Sequence, residues 1–524
     1  MKEKKKIVIV GGGISGMATA YRLSELSRAQ GIPVEITVVE AGSRLGGVIE
    51  SKRQDGFLLE GGPDSFISEK PAAQELAKRL GIANEIIGTN DKFRRSFIYK
   101  KGNLIPVPEG FYLIAPSQIR AFLQTHLLDW RTKFRMGCEV FIPKRSTNED
   151  ESVANFVRRR FGKATLEEVA QPMIGGIYTA DPEYLSLEAT MPQFLELERT
   201  YGSVIKGLLL RRNAKRKNST QSASGPRYSL FLSFKEGMKE LVDSVVKNSP
   251  DVRFKLNATA VCVTRMSRST NPFGFFSFPL KACGYDKKTI PPTSLLNSSR
   301  NQCWQVDFEN GATLEADAVC IALSACQAAP LVISVAPHLA KQLAAIPYES
   351  VATVNLAYKR SDIPHKLDGF GFVVPAITKR KIVACSFSSV KFDGRAPGGM
   401  VLLRVFVGGA FHREIYALDD NEMTRTVTDE LRHYLGIEKL PLFTSISRYP
   451  RTMPQYQVGH LDMIRSIQAQ LSDFPGLYLT GNAYRGIGVP DCIKWAESAA
   501  EAMYTFLKEK RKSADLNSVK GSSK

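Results

Sequence analysis

Six residues near the start of the chain, Gly11-Gly12-Gly13-Ile14-Ser15-Gly16, have the spacing G-x-G-x-x-G. That run binds a dinucleotide when it follows a strand, opens a helix and lies inside a βαβ unit. Gly11 then makes the tight turn, Gly13 lets backbone approach a pyrophosphate, and Gly16 lets helix and strand pack closely. The helix that begins at Ile14 and Ser15 turns its free N–H groups and positive dipole end toward the phosphates. Glu40, at the end of the second strand, is placed to accept from a ribose 2′-hydroxyl and disfavours a 2′-phosphate.

Two further runs narrow the cofactor. Ala41-Gly42-Ser43-Arg44-Leu45-Gly46-Gly47 follows Glu40 directly, and Glu60-Gly61-Gly62-Pro63-Asp64-Ser65 comes soon after. An Arg and paired glycines just past a ribose acid resemble the extended fingerprint of the flavin amine oxidase and desaturase group. The resemblance implies that Ala41, Arg44, Gly46, Gly47 and the Gly62-Pro63-Asp64-Ser65 backbone line the pyrophosphate and ribityl chain of FAD. Far along the chain, Leu477-Tyr478-Leu479 leads into Gly481-Asn482 and then Ile487-Gly488-Val489, again strand, glycine turn, helix. Both ends of the chain are therefore expected on one flavin. Ala260 stands where this group often has a Val near the adenine.

Several elements must position these residues. Lys6 to Val10 reads as an apolar strand, Ser15 to Leu26 as a helix (Met17, Ala20, Leu23, Leu26), and Glu35 to Glu40 as a second strand. A helix is expected over Pro71 to Leu80 with Gly81 beyond its end. From Phe97 to about Lys206, prolines and aromatics predict a separate, mostly helical part. Residues 213–227 predict a loop. Strands are expected at Val252–Thr264, Trp304–Leu323 with an Asn310-Gly311 turn, Val351–Tyr358 and Val401–Val407, and a last helix at Ala496–Leu507. The proline-bearing stretch Met266–Cys303 reads as an irregular insertion.

With 524 residues, 43% hydrophobic and 23% charged, the chain is globular and long enough for two or three domains. Eight scattered cysteines without a C-x-x-C pair, and six dispersed histidines, exclude the familiar zinc and iron–sulfur patterns, so no metal is expected. The net charge of +19 would attract an acidic molecule or anionic lipid. No nucleic-acid motif accompanies it, and none is expected as partner. The basic runs at Arg211–Lys217 and Lys508–Lys512 read as solvated loops and tails. Met1–Lys6 runs directly into the first strand, and no apolar run approaches the ~20 residues of a spanning helix. The expectation is a cytoplasmic protein without secretory signal, soluble or peripheral on the inner face of the membrane.

Beyond these flavin motifs, the chain resembles the oxygen-dependent protoporphyrinogen/coproporphyrinogen oxidase family. The resemblance rests on Gly175-Gly176-Ile177-Tyr178-Thr179-Ala180-Asp181-Pro182, Leu185-Ser186-Leu187, Tyr201-Gly202-Ser203-Val204, Gly369-Phe370-Gly371-Phe372-Val373-Val374-Pro375, Phe406-Val407-Gly408-Gly409, Met453-Pro454-Gln455-Tyr456 and the Gly481–Cys492 segment. It implies a mixed α/β fold with a Rossmann-like FAD domain (1–88 with 236–329 and 447–510). A mixed-sheet substrate domain (89–97 with 207–235 and 330–446), a helical membrane-associating domain (98–206) and a disordered tail (511–524) complete it. It implies six-electron oxidation of protoporphyrinogen IX, with molecular oxygen as acceptor and peroxide released; coproporphyrinogen III is the alternative. A peripheral membrane contact follows from it, and a homodimer is compatible with it.

The flavin carries the chemistry in this family, so no nucleophile or catalytic acid is assigned. Arg94 and Arg95 lie near the family's propionate-binding Arg, and spacing leaves open which one matches. Val373, Ser386 and Phe406 match positions lining the macrocycle pocket. Ser386 departs from the expected apolar residue, Phe406 could equally serve as core, and Tyr449 stands where bacterial relatives often carry Trp. Trp130, Phe111 and Tyr112 mark the membrane-facing part, or else a small helical core. An amine oxidase on the same fold is the first rival. It would often carry a flavin-attaching Cys where this chain has Asn482-Ala483-Tyr484.

Overall fold

The structure, a computed structural model, describes residues 4–147, 149–218, 230–267 and 302–521. The apolar strand Lys5–Val10 is the middle of a five-stranded sheet. Val34–Val39 and Val252–Lys255 lie on one side, Ala318–Ile321 and Leu477–Leu479 on the other. Every pairing in it is parallel, and parallel strands need cover on both faces. Ile7 and Ile9 face the helices Ile14–Gln30 and Val489–Gly521, packing with Ala20, Leu23, Met503 and Leu507. Val8 and Val10 face the other way, into a cluster with Val263, Trp304 and Val306.

Those last three come from an antiparallel sheet of Ala260–Ser267, Gln302–Phe308 and Thr313–Ala316. The expected Asn310-Gly311 turn joins the latter two strands, with Gly311 at φ +81°. Met266 pairs with Cys303 and Ser267 with Gln302. The insertion therefore leaves and re-enters at neighbouring points of one hairpin, and residues 268–301 lie outside the described residues.

A seven-stranded sheet forms the second layer system, in the order Phe443–Pro454, Tyr348–Lys359, Met400–Gly408, Ala384–Ser386, Gly371–Val373, Phe97–Lys100, Asn103–Pro106. One face is core: Val354, Leu356, Leu403, Val405, Cys385 and Phe372 pack on Met423, Val427 and Leu431 of the helix Asp420–Leu435. That helix is well specified. Asp419 caps it by accepting from the Glu422 N–H, Arg432 and His433 sit in its last turn, and Gly436 ends it at φ +70°.

The helical part holds Val153–Arg160, Gln171–Tyr178, Pro192–Tyr201 and Val204–Asn218 around Phe156, Phe161, Ile174 and Phe194. Arg160 is fully buried there, bonded to Glu139 at 3.0 Å and to Glu198. Burial alone would raise the Glu198 carboxyl, but hydrogen bonds from Arg159 and Arg160 hold it down at about 2.

Three sequence expectations differ from this arrangement. The segment from Phe97 begins as two strands at the edge of the large sheet, not as helix. Lys101 and Gly102, both at positive φ, form the two-residue turn of a hairpin. Residues 213–218, expected in a loop, continue a helix because Ala, Lys and Arg are good helix formers; 219–229 lie outside the described residues. The closing helix runs from Val489 to Gly521, through most of the segment expected as a disordered tail, where neither Pro nor Gly interrupts it before Gly521.

Candidate active site

The glycine run is built by close backbone contacts. A Cβ on Gly16 would lie 1.9 Å from the Gly11 carbonyl oxygen, so helix and turn meet with no room for a side chain. Gly11 sits at φ +109° and donates to the Val39 carbonyl at 2.8 Å. Gly13 caps the helix without a side-chain bond, no acid stands in the first turn, and nothing lies within 4 Å of where its Cβ would be. The first turn of the helix thus borders open space beside Gly13, the arrangement that takes an anion. Glu40 accepts from the Gly12 N–H at 2.7 Å and the Gly42 N–H at 2.8 Å, which fixes its carboxylate beside the turn.

The following loops are laid along this site. Gly46 donates to the Gly12 carbonyl at 2.8 Å, and Gly47 lies against Gly13. Arg44 staples its own loop by donating to the carbonyls of Gly47 (2.8 Å) and Ile49 (3.0 Å) and approaching Glu50 at 3.5 Å; Ala41 is exposed beside it. A Cβ on Gly62 would overlap the Val48 carbonyl at 1.7 Å, so the turn that follows the strand Phe57–Glu60 presses directly on this loop. Ala258 donates to the Glu40 carbonyl at 2.9 Å, which brings Ala260 near the same acid.

The two chain ends do converge. Ile14 and Met17 share a cluster with Val489, Cys492 and Ile493, and Thr19 donates to the Ala496 carbonyl at 3.3 Å. Tyr456 clamps the late turn: its hydroxyl donates to the Asn482 carbonyl and accepts from the Gly486 N–H at 2.8 Å. Ile487 and Gly488 follow, half-buried. Burial pushes the Cys492 thiol up to about 12, so it is no nucleophile.

The candidate pocket residues fall on the large sheet's other face. Val373 pairs with Ala384, Ala384 with Phe406, and Phe406 with Thr353, so all four point the same way. Ser386 pairs with Arg404, and Arg404 with Asn355, one step further along that face. Phe406 is half-buried under the Arg404 guanidinium, 4.8 Å from its ring centre, rather than in the core. Ser386 donates to the Phe370 carbonyl at 3.3 Å. Gly176, whose Cβ would lie 3.2 Å from Val373, brings the helix Gln171–Tyr178 down over this face.

Arg94 and Arg95 stand at its rim, both about half exposed, paired at 3.4 Å with Asp91 and Asp368 respectively. The Arg95 carbonyl accepts from the Phe370 N–H at 2.8 Å, beside the Ser386 end. Geometry does not choose between the two arginines. Tyr449 lies against Gly61, where a Cβ would be 2.8 Å from its hydroxyl.

Several residues of this face had no place in the sequence reading. Arg404 donates to the Gly61 carbonyl at 3.0 Å, Thr353 to the same carbonyl at 2.6 Å, and Asn355 to the Glu60 carbonyl at 3.1 Å. Lys391 pairs with Asp64 at 3.0 Å. Arg404 did carry a signal, as the one charge in the apolar strand Met-Val-Leu-Leu-Arg-Val-Phe-Val; Lys391 carried none. Burial would raise the Asp64 carboxyl, but the Lys391 and Arg404 cations beside it hold it well below the usual range.

A parallel sheet with a glycine cradle at its centre, joined to a large sheet whose free face abuts that cradle, is the architecture of a flavin oxidoreductase. The family described as flavin containing amine oxidoreductase matches residues 14–274 and 293–504, and the chain belongs to that family. Within it the chain falls among the porphyrinogen oxidases. It is 31% identical to the coproporphyrinogen III oxidase of Bacillus subtilis, over 96% of this chain and 99% of that one. It is 25% identical to the mitochondrial protoporphyrinogen oxidase of Nicotiana tabacum, over 96% and 95% respectively. A crystal structure from Exiguobacterium sp. 255-15, assigned provisionally as a protoporphyrinogen oxidase, superposes with a TM-score of 0.78 at 28% identity, covering 97% of this chain and 99% of that one.

The family's cofactor is FAD, and the residues present fit it. The open space at Gly13 suits a pyrophosphate, and two buried polar atoms, Thr480 Oγ1 and Arg404 Nε, have no hydrogen-bond partner among the described residues. Buried polar groups are ordinarily satisfied, so both are available to a bound group along this line.

Proposed function

We propose that the chain oxidises a porphyrinogen to its porphyrin, losing six electrons and six protons to three molecules of oxygen with release of three of hydrogen peroxide. The observation that carries this reading is the face holding Val373, Ser386 and Phe406. It meets the Gly61–Ser65 turn at one side and is covered by side-chain-free Gly176 at the other. A flat apolar macrocycle suits such a face. When bound, FAD supplies the hydride acceptance that the chain's own side chains lack.

Gly11, Gly12, Gly13, Ile14, Ser15 and Gly16 would hold the pyrophosphate, and Glu40 the ribose. Ala41, Arg44, Gly46 and Gly47, with Gly62, Pro63, Asp64 and Ser65, would bound the ribityl side. Asn482, Ile487, Gly488 and Val489 would close the other side, with Ala260 near the adenine. Val373, Phe406 and Ser386 would orient the macrocycle, and Arg94 or Arg95 would pair propionates at the rim, a task suited to a guanidinium fork.

We place coproporphyrinogen III ahead of protoporphyrinogen IX, reversing the order expected from sequence. Three bacterial coproporphyrinogen III oxidases are 31% identical to this chain, against 24–27% for five plant protoporphyrinogen oxidases. The test is porphyrin fluorescence in air with each substrate. Faster oxidation of coproporphyrinogen III supports the ranking, faster protoporphyrinogen IX oxidation reverses it, and no oxidation of either removes the reading.

A peripheral membrane contact has support of its own. Trp130, Phe134 and Phe141 are 69%, 76% and 84% exposed on the helical part, while Phe111 packs inward; the Tyr112 side chain lies outside the described residues. Aromatics displayed together on a basic protein suit an anionic leaflet. No helix among the described residues is long and apolar enough to cross a membrane. Co-sedimentation with anionic but not neutral vesicles, lost in Trp130→Ser/Phe134→Ser, is the expected result.

A further inference from the structure

The turn Gly61–Ser65 is where the glycine cradle and the substrate face touch. It is held from the substrate side by two cations that the sequence places far away. Arg404 is buried and reaches the Gly61 and Gly62 carbonyls and, at 3.9 Å, the Asp64 carboxylate. Lys391 Nζ lies 3.0 and 3.2 Å from the two Asp64 oxygens and 3.1 Å from Ser65 Oγ, and its side chain is only 12% exposed. Phe231 and Phe392 flank that ammonium, each ring centre 5.1 Å away. Ser65 Oγ donates to Asp64 at 2.7 Å, and Ser233 Oγ donates to the Asp64 carbonyl at 2.7 Å.

Charge does not cancel here. At the turn Asp64 and Glu50, the latter 3.1 Å from where a Gly61 Cβ would be, stand against Lys391, Arg404 and the Arg44 that pairs with Glu50. Glu60 and Arg395 lie just behind the turn, and burial raises the Glu60 carboxyl toward neutrality at about 7. One Arg404 nitrogen, Nε, is buried without a partner among the described residues. The excess is positive.

We propose that Lys391 and Arg404, both supplied by the substrate part, make this turn an electropositive seat that raises the reduction potential of the bound flavin. The proposal rests on the FAD reading above. With the pyrophosphate held in the cradle, the far end of a bound FAD would reach the turn where the cradle meets the substrate face. Uptake of two electrons and one proton by a neutral flavin ring leaves it with one negative charge. Nearby positive charge favours that product, and the low-dielectric surroundings weaken the effect little. Lys391 is thus a positioning and tuning residue: it holds Asp64 and offsets its charge.

The test is the midpoint potential of the FAD-loaded protein, read by anaerobic dye titration, for wild type, Lys391→Met, Lys391→Arg and Asp64→Asn. Lys391→Met should lower the equilibrium constant for two-electron reduction by about tenfold, about 30 mV. Lys391→Arg should restore it, and Asp64→Asn should raise it. Opposite signs for the two charge removals mark electrostatics, because damage to the turn would move both the same way. An unchanged potential in Lys391→Met, or a lowered one in Asp64→Asn, overturns the proposal. If Lys391→Met does not fold, Asp64→Asn decides by itself. Wild-type protein that takes up no FAD would remove the flavin reading as well, a result distinct from FAD-loaded variants of unchanged potential.

Discussion

Arg404 and Gly61 are 343 positions apart in the chain, yet the guanidinium donates to the Gly61 carbonyl at 3.0 Å. That bond ties the middle of the large sheet to the end of the hairpin that leaves the glycine cradle. Thr353 bonds the same carbonyl from the neighbouring strand. Cofactor loop and substrate face are therefore bonded directly, and changes on either side should be felt on the other.

The tightest contact in the cradle makes the plainest prediction. Gly16→Ala would drive a methyl into the Gly11 carbonyl oxygen, a backbone atom that cannot swing aside. Overpacking of this kind costs about 1–3 kcal/mol. The variant should purify with little flavin absorbance and melt earlier than wild type. A yellow Gly16→Ala protein of normal stability would contradict the cradle.

Tyr456→Phe removes one hydroxyl that bonds both the Asn482 carbonyl and the Gly486 N–H. Two lost bonds of about 1 kcal/mol each predict FAD held roughly tenfold or more weakly. Equilibrium dialysis would measure it, with circular dichroism unchanged.

The helical part predicts a stability effect without a cofactor effect. Arg160→Ala leaves Glu139 buried without its cation and Glu198 with Arg159 alone. Removing one partner of a buried ion pair costs about 3–5 kcal/mol. Chemical denaturation should show that loss, while the flavin spectrum of the protein that remains folded stays that of wild type.

Glu60 predicts a pH dependence. Burial raises its carboxyl to about 7, against Ser51, the Met238 N–H, Arg395 and Arg404, which oppose the rise. Between its ordinary value of 4.5 and about 7 the folded chain therefore binds a proton that the unfolded chain has lost. Stability from this group is full below the lower value and falls as pH rises through the upper one. Relative to Glu60→Gln, which cannot ionise, wild type should lose about 1–3 kcal/mol between about pH 5 and about pH 8. A constant difference across that range would refute it.

Arg95→Ala should raise KM more than it lowers kcat, as expected when binding is lost equally from ground and transition states. The same measurement on Arg94→Ala decides which arginine serves the propionates, since both are equally exposed at the rim.

What the sequence alone determined was the cradle. Its constraints are backbone ones within a few residues: Gly11 needs positive φ and Gly16 needs no Cβ, so residue type reports them directly. Strand, turn and helix there agree with their local patterns for the same reason. The late turn was legible too, by the same glycine logic, although its partner Tyr456 was not recognised as a clamp. Tertiary structure decided the rest. A lateral row such as Val373, Ala384, Phe406 and Thr353 exists only once strands pair in register. The edge hairpin at Lys101-Gly102 was hidden by the prolines and aromatics that follow it. The cations at Asp64 come from segments more than 300 residues away. No local pattern encodes such a meeting, because long-range pairing depends on which faces are buried together rather than on spacing along the chain.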